Sequence, residues 1–324
     1  MKRFQRILVY AGTEQPDLTV ARAAQLALEN DAVLTLMDVV KPIPRALGMI
    51  TDAAKPEELE KLVVADRRRR LLDLAGDVAQ SGLQSELVVA VGDPATEITR
   101  QVVSQGHDLV VKTADGFSAA GRSFGSVAQS LLRLCPCPVW LLKPQIHGEF
   151  DKVLAAIDVE SEDRQHVDLN QKILEFAYSI AQRDDAELHV VAVWQLWMEN
   201  SLRRHAGDAA VDSMRERHEA KVRKALDELL QTPDARTDEI HLHLQQGSPA
   251  SMIRNVADEI EADLMVMGTV CRTGAAGFLI GNTAETVISG VTCSLLALKP
   301  DRFVSPIQMS ASSLPETDQP LPLI

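Results

Sequence analysis

Cys135-Pro136-Cys137-Pro138 places two thiols one residue apart, closer than the spacing of the usual dithiol redox and zinc motifs. Cys137 lines up with Cys293, each just ahead of an apolar run where a small buried residue fits. A structural role is therefore favoured for both. Cys271 is the more reactive candidate, since a helix N-terminus beside it would lower its pKa; a plain glycine replacement is the simpler account. His241-Leu242-His243 sets two imidazoles on one face of a strand, a geometry that suits a metal ion. No acidic or cysteine partner is identifiable in the sequence, and a polar strand face explains the pair equally well, so no metal is assigned. Trp194 and Trp197 could line a cavity or fill a core. There is no GxGxxG fingerprint, no GxxxxGK[ST] phosphate loop and no GxSxG elbow. Nothing in these motifs argues for an enzyme.

The elements that must hold these residues come in two copies. Val91-Gly92-Asp93-Pro94-Ala95-Thr96-Glu97-Ile98 returns as Gln246-Gly247-Ser248-Pro249-Ala250-Ser251-Met252-Ile253. Asp108-Leu109-Val110-Val111-Lys112 returns as Asp263-Leu264-Met265-Val266-Met267, and Leu142-Lys143-Pro144 as Leu298-Lys299-Pro300. Order and spacing match, so duplication is the simplest explanation. In the first copy, strand-like runs at 7–10, 33–39, 86–90, 109–112 and 139–142 alternate with helical patterns at 17–30, 56–81, 95–104 and 123–133. In the second, strands at 153–157, 187–193, 240–244, 264–267 and 295–298 alternate with helices at 168–182, 213–230, 250–259 and 282–289. Pro94 and Pro249 suit a first helical turn, with Asp93 and Ser248 as N-caps. This alternation predicts two tandem Rossmann-like α/β domains, each a five-stranded parallel sheet with helices on both faces. Their ligands belong at the carboxyl ends of the strands, at the topological switch point. The expected boundaries are 1–146 and 147–302. The tail at 303–324, rich in Ser, Pro, Thr and Asp, is expected to be loosely ordered.

At 324 residues the chain suits two domains of about 150 residues. Aromatics make up only 4%, so the cores must be aliphatic, as in parallel sheets buried on both faces. A formal charge of −13 argues against a nucleic-acid or anionic-membrane surface. Four cysteines do not make a disulfide framework. The apolar stretch 7–11 is too short for a signal-peptide core, and no run approaches the ~18 apolar residues of a spanning helix. A cytoplasmic protein without membrane insertion is expected.

The segment Val266-Met267-Gly268-Thr269-Val270-Cys271-Arg272-Thr273-Gly274, with Phe278-Leu279-Ile280-Gly281-Asn282-Thr283-Ala284-Glu285 and the ending Leu296-Ala297-Leu298-Lys299-Pro300, resembles the universal stress protein family. The duplication resembles its tandem E-type branch. Members that bind ATP carry G-x2-G-x9-G-[ST] after the fourth strand, where glycines let backbone amides approach phosphate oxygens. A carboxylate at the end of the first strand lies near the adenosine. The resemblance implies a stress-response binding protein in which the two fifth strands meet as an internal pseudo-dimer, with a further homodimer and regulatory protein partners expected.

By that resemblance the candidate nucleotide site lies in the second copy: Asp158, Gly268, Thr269, Arg272, Gly281, Asn282 and Thr283. Cys271 replaces the middle glycine, and Asn282 the usual Ser or Thr. The first copy departs further. Thr113 stands at the first glycine, Gly12 replaces the carboxylate, and the Gly116–Gly125 interval is one residue short. Gly116, Gly125 and Ser126 mark that degenerate site. The residues themselves assign no cofactor; the resemblance implies ATP or a related adenine nucleotide. Two alternatives stay open: a protein-interaction module with vestigial nucleotide sites, or a binder of another metabolite or lipid-like ligand in apolar clefts near Trp194, Trp197 and the 41–60 segment.

Overall fold

Asp108 and Asp263 fasten the same joint in each half. The Asp108 carboxylate accepts the backbone N–H groups of Gln5 and Arg6 at 2.7 and 3.1 Å. Asp263 accepts those of Asp151 and Lys152 at 2.8 and 2.9 Å. Each aspartate thus ties the start of its half's first strand to the start of its fourth. The computed structural model describes residues 4–13, 16–44, 56–114, 124–144, 149–161, 163–231, 240–269 and 280–307.

The first half runs β1 (Arg6–Tyr10), α1 (Asp17–Asn30), β2 (Val33–Val40), α2 (Pro56–Gln80), β3 (Ser85–Val91), α3 (Pro94–Gln105), β4 (Leu109–Thr113), α4 (Gly125–Leu134) and β5 (Val139–Leu142). The second runs β6 (Lys152–Ile157), α5 (Arg164–Asp184), β7 (Glu187–Trp194), α6 (Glu199–Ala206), α7 (Asp208–Leu230), β8 (Ile240–Gln246), α8 (Pro249–Glu259), β9 (Leu264–Gly268), α9 (Asn282–Ile288) and β10 (Ser294–Leu298). Within each half the strands are parallel, in the order β3-β2-β1-β4-β5 and its repeat β8-β7-β6-β9-β10. Sequence and space diverge between β1 and β4, and between β6 and β9, which is where each half has its switch point.

The helices sort to two faces because their apolar stripes do. Val20, Leu71, Leu169 and Leu226, from α1, α2, α5 and α7, share one core. Ile98, Ala128, Ile253 and Val287, from α3, α4, α8 and α9, share the other. Pro94 opens α3 with the Asp93 carboxylate accepting the Thr96 N–H at 3.0 Å. Pro249 opens α8 in the same way, but Ser248 makes no side-chain cap bond, contrary to the cap expected of it. Helix α5 starts four residues before the predicted 168, and α7 five before the predicted 213. Helix α6 was not predicted. It buries none of its residues, so it carries no periodic apolar signal.

The halves join through β5 and β10, which pair antiparallel with Leu296 opposite Trp140 and make one ten-stranded sheet. Both strands are buried throughout, so neither half could expose this edge to water without cost. Flanking the seam, Asp184 pairs with Arg22 of the other half and accepts the Phe150 N–H at 3.0 Å. Arg22 also lies 4.7 Å from the Phe150 ring. At the far side of the seam the Lys299 ammonium donates to the Cys135 carbonyl at 2.5 Å. The 145–148 joint and the tail beyond 307 lie outside the described residues.

Candidate functional site

A cleft of ≈330 Å³ opens at the second switch point, between the carboxyl ends of β6 and β9. Its apolar wall includes Ala156, Val193, Ile253 and Met267, and its polar rim Asp158, Gly281, Asn282 and Thr283. Asp158 follows β6 directly. Asn170 of α5 holds it there: the Asn170 side-chain oxygen accepts the Asp158 N–H at 3.1 Å, and its amide donates to the Asp158 carbonyl at 2.7 Å. One carboxylate oxygen of Asp158 accepts the Glu160 N–H at 3.2 Å. Gly268 closes β9 against α5. A Cβ there would come within 2.7 Å of the Leu169 methyl, so the leucine would have to shift to admit a side chain.

Thr269 is buried and donates from its backbone to the Leu298 carbonyl at 3.1 Å. Its own carbonyl accepts the Gly281 N–H at 3.1 Å, so that amide is spent on the protein. Asn282 and Thr283 open α9 with exposed side chains facing the cleft. The structure therefore brings Asp158, Gly268, Gly281, Asn282 and Thr283 around one opening, with Thr269 beneath it. Arg272 and Cys271 lie outside the described residues, as does Gly116.

At the corresponding strand positions the first half carries larger side chains. Ile7 faces Leu109 as Val153 faces Leu264, so Tyr10 corresponds to Ala156 and Lys112 to Met267. Both first-half side chains are buried. The Lys112 ammonium donates to the Thr113 carbonyl at 2.6 Å and lies 5.8 Å from the centre of the Tyr10 ring. The Thr113 hydroxyl meets that of Thr19 at 2.7 Å, at the strand end that corresponds to Gly268. A Cβ on Gly12 would collide with the Tyr10 phenol and the Asp38 carboxylate, so the missing carboxylate could not simply be restored. Gly125 starts α4 at φ +80°, a backbone that suits glycine, and Ser126 follows it.

The sequence profile of the Universal stress protein family matches residues 3–143 and again 149–299. The chain belongs to this family. Among curated members it is similar to Universal stress protein E of Photorhabdus laumondii, 30% identical over 95% of this chain and 99% of that one. Universal stress protein E of Escherichia coli is also 30% identical, over 95% and 98%. A functionally unknown protein from Pseudomonas aeruginosa PAO1 shares the fold at a TM-score of 0.71 with 26% identity, covering 93% of this chain and 94% of its own. The family profile thus matches each half of this chain, and the fold is shared with the Pseudomonas protein over nearly the whole length of both.

In this family member, sequence reasoning missed the residues that decide whether each site is open. Asn170 sits singly in an amphipathic helix without a motif around it. Tyr10 reads as an ordinary strand residue. Trp194 is buried as the last residue of β7 and Trp197 is exposed, so the two do not form a shared aromatic wall. Residues 45–55 of the apolar 41–60 segment lie outside the described residues. Among the described residues no helix is long and apolar enough to cross a membrane.

Proposed function

We propose that this chain is a non-enzymatic stress-response protein whose second domain binds a small ligand of the adenine-nucleotide class. The two domains are taken as 1–146 and 147–302, in a cytoplasmic protein whose chains pair as homodimers and contact regulatory proteins. The observation that carries this reading is the ≈330 Å³ cleft at the second switch point, apolar on one wall with a carboxylate at its rim. Small-molecule clefts run from ~300 to 1,000 Å³ and combine an apolar wall with few polar groups. An adenine ring suits the wall of Ala156, Val193 and Met267. The Asp158 carboxylate is placed to accept ribose hydroxyls. A phosphate chain would extend toward Gly268, Asn282 and Thr283, with Arg272 the nearby cation in the sequence. Titration calorimetry of the full chain with ATP, AMP and adenosine tests this. Binding that weakens at least tenfold in Asp158→Ala supports it; no heat at millimolar nucleotide removes the adenine-nucleotide ligand.

A second reading keeps the fold and drops the ligand. It is favoured by the Gly281 amide, already bonded to Thr269, and by the Tyr10 ring in the first half. Under it, partner capture by the full chain is the same in wild type and Gly281→Trp.

A further inference from the structure

At the opposite end of the second half's sheet, near the amino ends of its strands, three histidines and a glutamate converge. Strands β7 and β8 pair in parallel with His189 beside His241 and Val191 beside His243. Glu187 and His189 are two residues apart and so share one face of β7, as His241 and His243 share one face of β8. The His189 ring is buried and lies 4.8 Å from that of His241 and 5.3 Å from that of His243. Its Nε2 is 3.3 Å from Oε2 of Glu187, and its Nδ1 is 3.0 Å from Nε2 of His243. One ligand atom from each of Glu187, His189 and His241 lies within 4.8 Å of the other two.

We propose that Glu187, His189 and His241 bind a divalent transition-metal ion of the Zn²⁺ class, with His243 orienting the central ligand. Imidazole nitrogen and carboxylate oxygen suit such ions at about 2.0–2.2 Å. Tetrahedral bonds of that length put ligand atoms roughly 3.4 Å apart, which the Glu187–His189 pair already matches at 3.3 Å. Glu187 and His241 are exposed, so their side chains can rotate to close the remaining distance. Three protein ligands leave a fourth position for water or an outside ligand.

His243 supplies the orientation. When the His189 Nδ1–H donates to Nε2 of His243, the lone pair of His189 Nε2 is directed at Glu187 and the ion. A partner on the second ring nitrogen is the usual way a ligating histidine is fixed in its tautomer. Burial first, then the neighbouring imidazole charges, lowers the pKa of His189 despite the opposing Glu187 carboxylate. Burial likewise lowers that of His243, against Glu259.

The fold does not require this cluster. By strand register the first half has Val33, Thr35, Glu86 and Val88 at the four positions. There the Thr35 hydroxyl is bonded to His107 at 3.0 Å, and Glu86 pairs with Arg6 at 2.9 Å. The same backbone is thus stabilised with no convergence of imidazoles. The cluster is also remote from the carboxyl-end cleft and independent of any ligand there.

Equilibrium dialysis of the full chain against Zn²⁺ near neutral pH tests the proposal. One equivalent should bind, at least about tenfold more weakly in Glu187→Gln and in His241→Ala. Both substitutions are on exposed side chains, so folding should persist, and circular dichroism checks it. His166→Ala, beside the cleft, should bind as wild type does. With Co²⁺ in place of Zn²⁺, the visible spectrum should show nitrogen and oxygen ligation without thiolate charge-transfer bands. Wild-type affinity in both variants, no bound Zn²⁺ in wild type, or a thiolate spectrum would each overturn the assignment.

Discussion

Tyr10 and Ala156 occupy the same strand position in the two halves, beside Lys112 in one and Met267 in the other. The first position carries a buried phenol and the second a methyl group that lines the cleft. Since the surrounding backbone tolerates tyrosine in the first half, Ala156→Tyr should close the second cleft while the protein folds. The expected stability loss is about 1–3 kcal/mol, as for other overpacked positions, with adenine-nucleotide binding abolished in calorimetry. Unchanged binding in this variant would place the ligand elsewhere.

Gly268→Ala should destabilise by about 1–2 kcal/mol, because the new methyl would meet the Leu169 side chain at 2.7 Å. Leu169→Val, which withdraws that side chain, should recover part of the loss. Urea unfolding of both single variants and the double variant gives the coupling, expected at about 0.5–1.5 kcal/mol for residues in contact. Strict additivity would show that Gly268 is not held by this contact.

Asp184 joins the halves from a position almost closed to water, its side chain 1% exposed. Burial pushes its carboxyl up, but the Arg183 hydrogen bond, the Phe150 amide and the charges of Arg183 and Arg22 outweigh it and hold the pKa below 3.8. The stabilisation is therefore present above pH 3.8 and lost as pH falls through the lower folded value. Asp184→Ala should cost about 3–5 kcal/mol at neutral pH by leaving Arg22 buried without its partner. It should also flatten the acid limb of the stability profile measured by denaturant titration.

Lys299 carries a pH signature of opposite sense. Burial lowers its ammonium pKa to about 8 from 10.5, against the opposing influence of Cys135 and Cys137. The charged form is fully penalised below pH 8, and the penalty is relieved as pH rises toward 10.5, where the unfolded chain also loses its proton. Relative to Lys299→Met, wild type should gain up to about 3 kcal/mol across that window. Parallel stability curves for the two proteins would refute a buried charge at this position.

Much of the architecture is legible from residue order because a parallel sheet imposes long-lived patterns. Every strand predicted from short aliphatic runs is present, and the pairing of 139–142 with 295–298 is the one the family resemblance implied. Features resting on contact across elements were not legible. His189 sits in a strand buried from Leu188 onward, and nothing in sequence sets it beside His241, since that depends on strand register. Gly268 and Gly281 were singled out by their spacing, and both line the cleft. The spacing said nothing of the Thr269 carbonyl that claims the Gly281 amide, because backbone partners leave no trace in residue type.

The antiparallel seam between β5 and β10 has an evolutionary consequence. When two identical chains meet across such a seam, every substitution is written on both sides, so a plugged cleft is plugged twice. Covalent joining removes that constraint. One half can give up its opening to Tyr10 and Lys112 while the other keeps its own and gathers a histidine cluster the first never had. In a single chain, shared scaffolding thus permits the two halves unequal careers.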